Sequence, residues 1–93
     1  MSEYFSLEAE NTDNPDVMVL WVNQTLTEQA PEIYDEADQG EAGTPIAQIL
    51  FLDVSGITAL TVQEDHLIVT RQADMPWEAL IDDIRDALRD FFL

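Results

Sequence analysis

The chain has 93 residues, a formal net charge of −17 at pH 7 from 20 acids against 3 bases, and no cysteine. That length predicts a single domain over residues 1–93 with one core. The missing thiols exclude disulfides, zinc–thiolate centres and a cysteine-ligated iron–sulfur cluster within these residues.

Hydrophobic residues make up 46% of the chain, enough for a globular core and too many for a disordered tail. There is no lysine, and the bases are Arg71, Arg85 and Arg89. Nucleic acid and anionic membrane are therefore not expected partners, because phosphate binding needs cations. The acid excess fits a solvated surface in a salt-tolerant cytoplasm, or a face that docks a basic protein. The N-terminus lacks the basic and apolar segments of a secretory signal, and no apolar run approaches the ~20 residues of a membrane span. The expected location is cytoplasmic.

Residues 3–9 alternate, with Phe5, Leu7 and Ala9 on one face and Ser6 and Glu8 on the other, which predicts a half-buried strand. Asn11 to Asp16 is rich in Asn, Asp and Pro and reads as a turn. Val17-Met18-Val19-Leu20-Trp21-Val22 is continuously apolar, which predicts a strand buried on both faces, paired antiparallel with the first. An exposed Trp21 would instead mark a partner site. Residues 23–43 are polar and acidic; Glu32-Ile33-Tyr34 is a candidate short edge strand, and 35–43 is expected to be mobile.

Thr44 as N-cap and Pro45 at the first position open a helix with an apolar stripe of Ile46, Ile49, Leu50 and Phe51. Gly56 is placed just past its end. Residues 57–62 and 66–71 read as two strands around the turn Gln63-Glu64-Asp65. Asp74 is expected to cap a final helix, with Trp77, Leu80, Ile81, Ile84, Leu88 and Phe91 on its inner face and Trp77 as a core anchor. On its outer face, Asp82–Arg85 and Asp86–Arg89 are spaced as i,i+3 ion pairs. The order β-β-(β)-α-β-β-α predicts an α+β fold: an antiparallel sheet of four strands, with a short fifth edge strand, and two helices on one face.

Four blocks resemble the N-terminal domain of Nfu/NifU-type iron–sulfur cluster scaffold proteins. Asn14-Pro15-Asp16-Val17-Met18 is similar to the family's Asn-Pro-Asn-x-Leu. Thr44-Pro45-Ile46-Ala47-Gln48-Ile49-Leu50-Phe51 is similar to Ser-Pro-Leu-Ala-x-x-Leu-Phe. Gly56-Ile57 with Leu60, followed by Asp65-His66-Leu67-Ile68-Val69-Thr70-Arg71, resembles Gly-Val-x-x-Val and Asp-Phe-Ile-Thr-Val-Thr-Lys. Trp77-x-x-Leu80-x-x-x-Ile84 is similar to Trp-x-x-Leu-x-x-x-Ile. The departures are Val19 for a family lysine, His66 for a family phenylalanine, and one extra residue between the first helix and Gly56.

In full-length members, the resemblance implies, a separate C-terminal domain carries a Cys-x-x-Cys pair that binds a cluster between two subunits. This chain is expected to be a stand-alone N-terminal module without that role. The implied function is a non-enzymatic protein-interaction module of iron–sulfur cluster assembly or delivery. Its partner would be a scaffold, a carrier or a recipient protein, and the chain itself a monomer. The alternatives are an acidic domain that binds divalent cations and an acidic mimic that docks on a basic protein.

No catalytic, cofactor-binding or metal-binding residue is assigned. His66 is the one histidine, and a nucleophile–base pair needs a positioned Ser or Thr beside it. It is read as a structural or exposed residue at a strand start. The acidic stretch 35–41 does not match the calcium-loop spacing, since Ala37 takes the third ligand position. Asp82-Asp83 and Glu64-Asp65 are read as solvated pairs on a helix face and in a turn.

Overall fold

The computed structural model describes residues 5–92. In chain order these form β1 (Leu7–Asn11), β2 (Val17–Val22), β3 (Glu32–Tyr34), α1 (Ala37–Glu41), α2 (Pro45–Asp53), β4 (Ile57–Val62), β5 (His66–Arg71) and α3 (Trp77–Phe92). The strands make one antiparallel sheet in the order β1-β2-β5-β4-β3, so the edge strand expected at Glu32 takes the fifth place.

Register assigns every strand residue to a face. Met18 opposes Val69, Leu20 opposes Leu67, Leu60 opposes Val69, and Val62 opposes Leu67. All six are buried, in one cluster with Ile46, Ala47 and Leu50 of α2 and Leu80, Ile84 and Leu88 of α3. Both helices therefore cover the same side of the sheet. On α3 the buried residues recur at four-residue spacing, as an amphipathic helix over a sheet requires. The two expected i,i+3 pairs form on its outer face, Asp82–Arg85 at 2.8 Å and Asp86–Arg89 at 3.0 Å.

Several expectations are corrected. The first strand runs from Leu7 to Asn11, later than residues 3–9; positions 3 and 4 lie outside the described residues. Its end is set by the turn that follows, where the Thr12 hydroxyl donates to the carbonyls of Asn14 and Val17, and Asn14 Oδ1 accepts the Asp16 N–H. β2 is buried on one face only, because nothing among the described residues covers Val17, Val19 and Trp21.

The 35–43 stretch, expected to be mobile, contains the short helix α1. Gly40 sits there against the ring of Phe51, so close that an added Cβ would overlap the aromatic carbons. Lacking a Cβ, Gly40 lets α1 approach α2.

Two helix starts also differ in detail. Thr44 occupies the N-cap of α2, but its hydroxyl makes no cap bond and is used elsewhere. α3 begins at Trp77, and the Pro76 carbonyl accepts the Leu80 N–H, so the cap position falls at Pro76 and not Asp74. Trp77 stands at the margin of the core, half-buried, donating its indole N–H to the Pro15 carbonyl at 2.8 Å. Arg71 lies 5.1 Å over its ring and pairs with Asp16 at 3.2 Å. Gly56 holds the expected place after α2, with φ of 102°.

Candidate functional site

The sheet has a second face, opposite the helices. Pairing places on it Glu8 and Glu10 from β1, Val17, Val19 and Trp21 from β2, and His66, Ile68 and Thr70 from β5. Ala59 and Thr61 of β4 and Ile33 of β3 complete it. One row runs straight across all five strands: Glu10, Val19, Ile68, Thr61, Ile33. A neighbouring row reads Glu8, Trp21, His66. The centre of the face is apolar or hydroxyl-bearing, and its carboxylates sit together on β1.

Trp21 is 41% exposed and Ile33 is 59% exposed, two of four large apolar side chains exposed on the described residues. Trp21 is nonetheless held in place. Its ring packs on His66 with centroids 4.3 Å apart, and its indole N–H donates to Glu10 Oε1 at 3.1 Å. His66 in turn bonds through Nδ1 to Asp65 Oδ1 at 2.8 Å. A large exposed indole fixed from two sides is suited to binding, because little side-chain freedom is left to lose.

The expectation for His66 thus meets a specific arrangement. It begins β5, half-buried, as an aromatic shelf under Trp21, with no Ser or Thr hydroxyl among the described residues bonded to it. Glu64 and Asp65 lie in the β4–β5 turn, exposed, and Asp82 and Asp83 on the outer face of α3. Among the described residues, no group of three or more His, Asp or Glu side chains converges in a way that would hold a metal ion. Nor is any described helix long and apolar enough to cross a membrane.

A separate cleft of about 270 Å³ lies on the helix side, between β3, the start of α2 and the end of α3. Leu26, Pro45, Ile46, Phe91 and Phe92 form its apolar walls, and Glu32 is its one carboxylate. The Tyr34 hydroxyl donates to Glu32 Oε1 at 2.7 Å and the Thr44 hydroxyl donates to the same oxygen at 2.9 Å. Burial raises the Glu32 pKa, but the hydroxyls of Thr27, Tyr34 and Thr44 together outweigh it and hold the group below the usual glutamate range. Sequence reasoning missed this cluster. The carboxylate ties the edge strand β3 to the mouth of α2, which is why Thr44 does not cap its own helix.

The chain matches the family model described as scaffold protein Nfu/NifU N terminal over residues 7–93. Among solved structures it is similar to the NifU-like protein from Saccharomyces cerevisiae, at 18% identity and a TM-score of 0.77, covering 97% of this chain and 82% of that one. It is also similar to protein SAV1430 from Staphylococcus aureus. The crystal structure of that protein gives 18% identity, a TM-score of 0.66 and coverage of 87% and 94%. Its solution structure gives 16%, 0.60, 86% and 85%. At these identities the likeness concerns the fold. No curated protein matches the sequence.

Proposed function

The chain belongs to the scaffold protein Nfu/NifU N-terminal family, and on that premise we propose that it is a non-enzymatic protein-interaction module of iron–sulfur cluster assembly or delivery. Its partner is a scaffold, a carrier or a recipient protein. The observation that carries this reading is the uncovered sheet face with Trp21 held fixed on it. A sheet that buries one face on helices and leaves an apolar second face is half of a two-layer contact. Tryptophan anchors of this kind supply a large share of binding energy when a partner seals water away from them. In this reading the chain supplies recognition and holds no cluster ligand.

The test is affinity capture from the native extract with the full chain immobilised, beside a Trp21→Ala/Ile33→Thr double variant. The expected result is retention of cluster-assembly or cluster-containing proteins on the native chain, depleted at least tenfold on the variant. Recovery of no such protein, or equal recovery on both, would count against the reading.

A further inference from the structure

We propose that the occupant of the open sheet face is an amphipathic helix of a partner protein, apolar along one side and carrying lysine or arginine where it meets β1. The inference rests on the reading of this face as a docking surface, and it specifies the chemistry of what docks.

The first argument is width. The apolar band from Val19 through Ile68 and Thr61 to Ile33 crosses three strand gaps. At ~4.8 Å per gap this is roughly 14 Å. An α-helix with its side chains is ~10–12 Å across. One helix therefore fits on the band, and a long cationic side chain on its β2 flank can reach across the last strand gap to β1.

Charge then chooses the helix. On the β1 side Glu8 and Glu10 are both exposed, with Trp21 and Val19 opposite them in register. No arginine lies on this face: Arg71 pairs with Asp16, Arg85 with Asp82, and Arg89 with Asp86. His66 is hydrogen-bonded to Asp65. The cation that would complement Glu8 and Glu10 must come from the partner. A lysine or arginine there also stands beside the Trp21 ring, where a cation gains from the indole face as well as from the carboxylates.

The same reasoning disfavours a second copy of this chain as the occupant. It would bring the same two glutamates and its own charge of −17, with no arginine on that face to place against them. It also disfavours the outer face of α3 as the basic partner's seat. That face has Asp82, Asp83, Asp86 and Asp90, but its large apolar residues Leu80, Ile84 and Leu88 are turned into the core.

The experiment titrates the 15N-labelled full chain with three 18-residue peptides, read by NMR shift mapping. One is a leucine/lysine helix with leucine on one side. The second is a scrambled isomer of identical composition, and the third a leucine/glutamine helix of the same pattern. The expected result is shifts concentrated on Val19, Trp21, Ile33, Thr61 and Ile68. The leucine/lysine helix should bind at least tenfold more tightly than either control.

Trp21→Ala should weaken it tenfold or more, and Glu8→Gln/Glu10→Gln should shrink its lead over the leucine/glutamine helix below threefold. Equal binding by the scrambled isomer, shifts centred on α3, or a sedimentation-detected dimer that disappears in Ile33→Thr would overturn the proposal. If the leucine/glutamine helix binds the open face equally well, the cationic partner is wrong and the docking surface stands. If no peptide shifts that face and the captured proteins ignore Trp21→Ala/Ile33→Thr, both fall together.

Discussion

The two faces of the sheet are made from the same few residue types and are put to opposite uses. In β2, Leu20 and Trp21 are neighbours in sequence. Leu20 is 0% exposed beneath the helices, and Trp21 is 41% exposed on the other side. Hydrophobic character is thus spent on stability at one position and left available at the next. The covered face is mainly aliphatic, with Leu20, Leu60, Val62, Leu67 and Val69 packed in one cluster with α2 and α3. The open face places aromatic and β-branched residues beside two carboxylates, a surface that is stable in water yet ready to be covered.

The sharpest way to break that comparison is to truncate both neighbours. Leu20→Ala should cost about 2–5 kcal/mol, because its side chain is fully enclosed and the cavity cannot collapse completely. In a domain of this size that is a large part of total stability. Trp21→Ala should cost about 1 kcal/mol, the worth of one cross-strand aromatic contact and an exposed hydrogen bond. Denaturant unfolding of the two variants measures the difference. If Trp21→Ala were as damaging as Leu20→Ala, the open face would be part of the core and not a surface held in reserve.

How far this division could be read from the sequence differs by element. The alternation in β1 separates Leu7 from Glu8, and the structure packs Leu7 against the core and leaves Glu8 exposed. The helical spacing on α3 gives Leu80, Ile84 and Leu88 of the core, but Phe91, expected on the same inner face, lies at the helix end and is 41% exposed. β2 fails because six consecutive apolar residues carry no phase: the pattern is the same whether one face or both are covered. What separates the two cases is how many layers the whole chain can build. The two long helices pack on one side, and nothing among the described residues is left for the other.

The Glu32 cluster was illegible for a different reason. Thr27, Glu32, Tyr34 and Thr44 are scattered along a polar stretch, and only the pairing of β3 beside β4 brings them to the mouth of α2. Gly40 shows the same limit, since its role depends on a ring eleven residues away in sequence.

The Glu32 cluster yields the second prediction, intermediate in size. Its folded pKa is depressed, so the folded state favours the ionised carboxylate. By linkage this stabilisation is fully present above the ordinary glutamate value of 4.5 and is lost as pH falls through the lower folded value. Glu32→Gln keeps the shape and removes the charge. It should cost about 1–2 kcal/mol at pH 7, the range of a hydrogen-bonded carboxylate discounted for partial exposure. The gap between native chain and variant should narrow steadily from pH 5 to pH 3 in thermal or urea unfolding. A gap that stays constant over that range would mean the carboxylate's charge plays no part and only the packing of β3 against α2 matters.

The smallest expected effect on stability is also the most informative about the open face. Ile33 is 59% exposed in the middle of a three-residue edge strand. Ile33→Thr retains β-branching, so strand propensity is preserved while an exposed apolar surface is lost. The change in unfolding free energy should stay within about 0.5 kcal/mol, as for surface substitutions generally. Binding should respond far more, because under a partner that position becomes buried and the missing methyl groups leave a gap there. A substitution silent in unfolding and costly in binding separates a docking residue from a structural one. Loss of fold stability and binding in equal measure would instead make Ile33 a support for β3, and the open face would narrow to the three strands around Trp21.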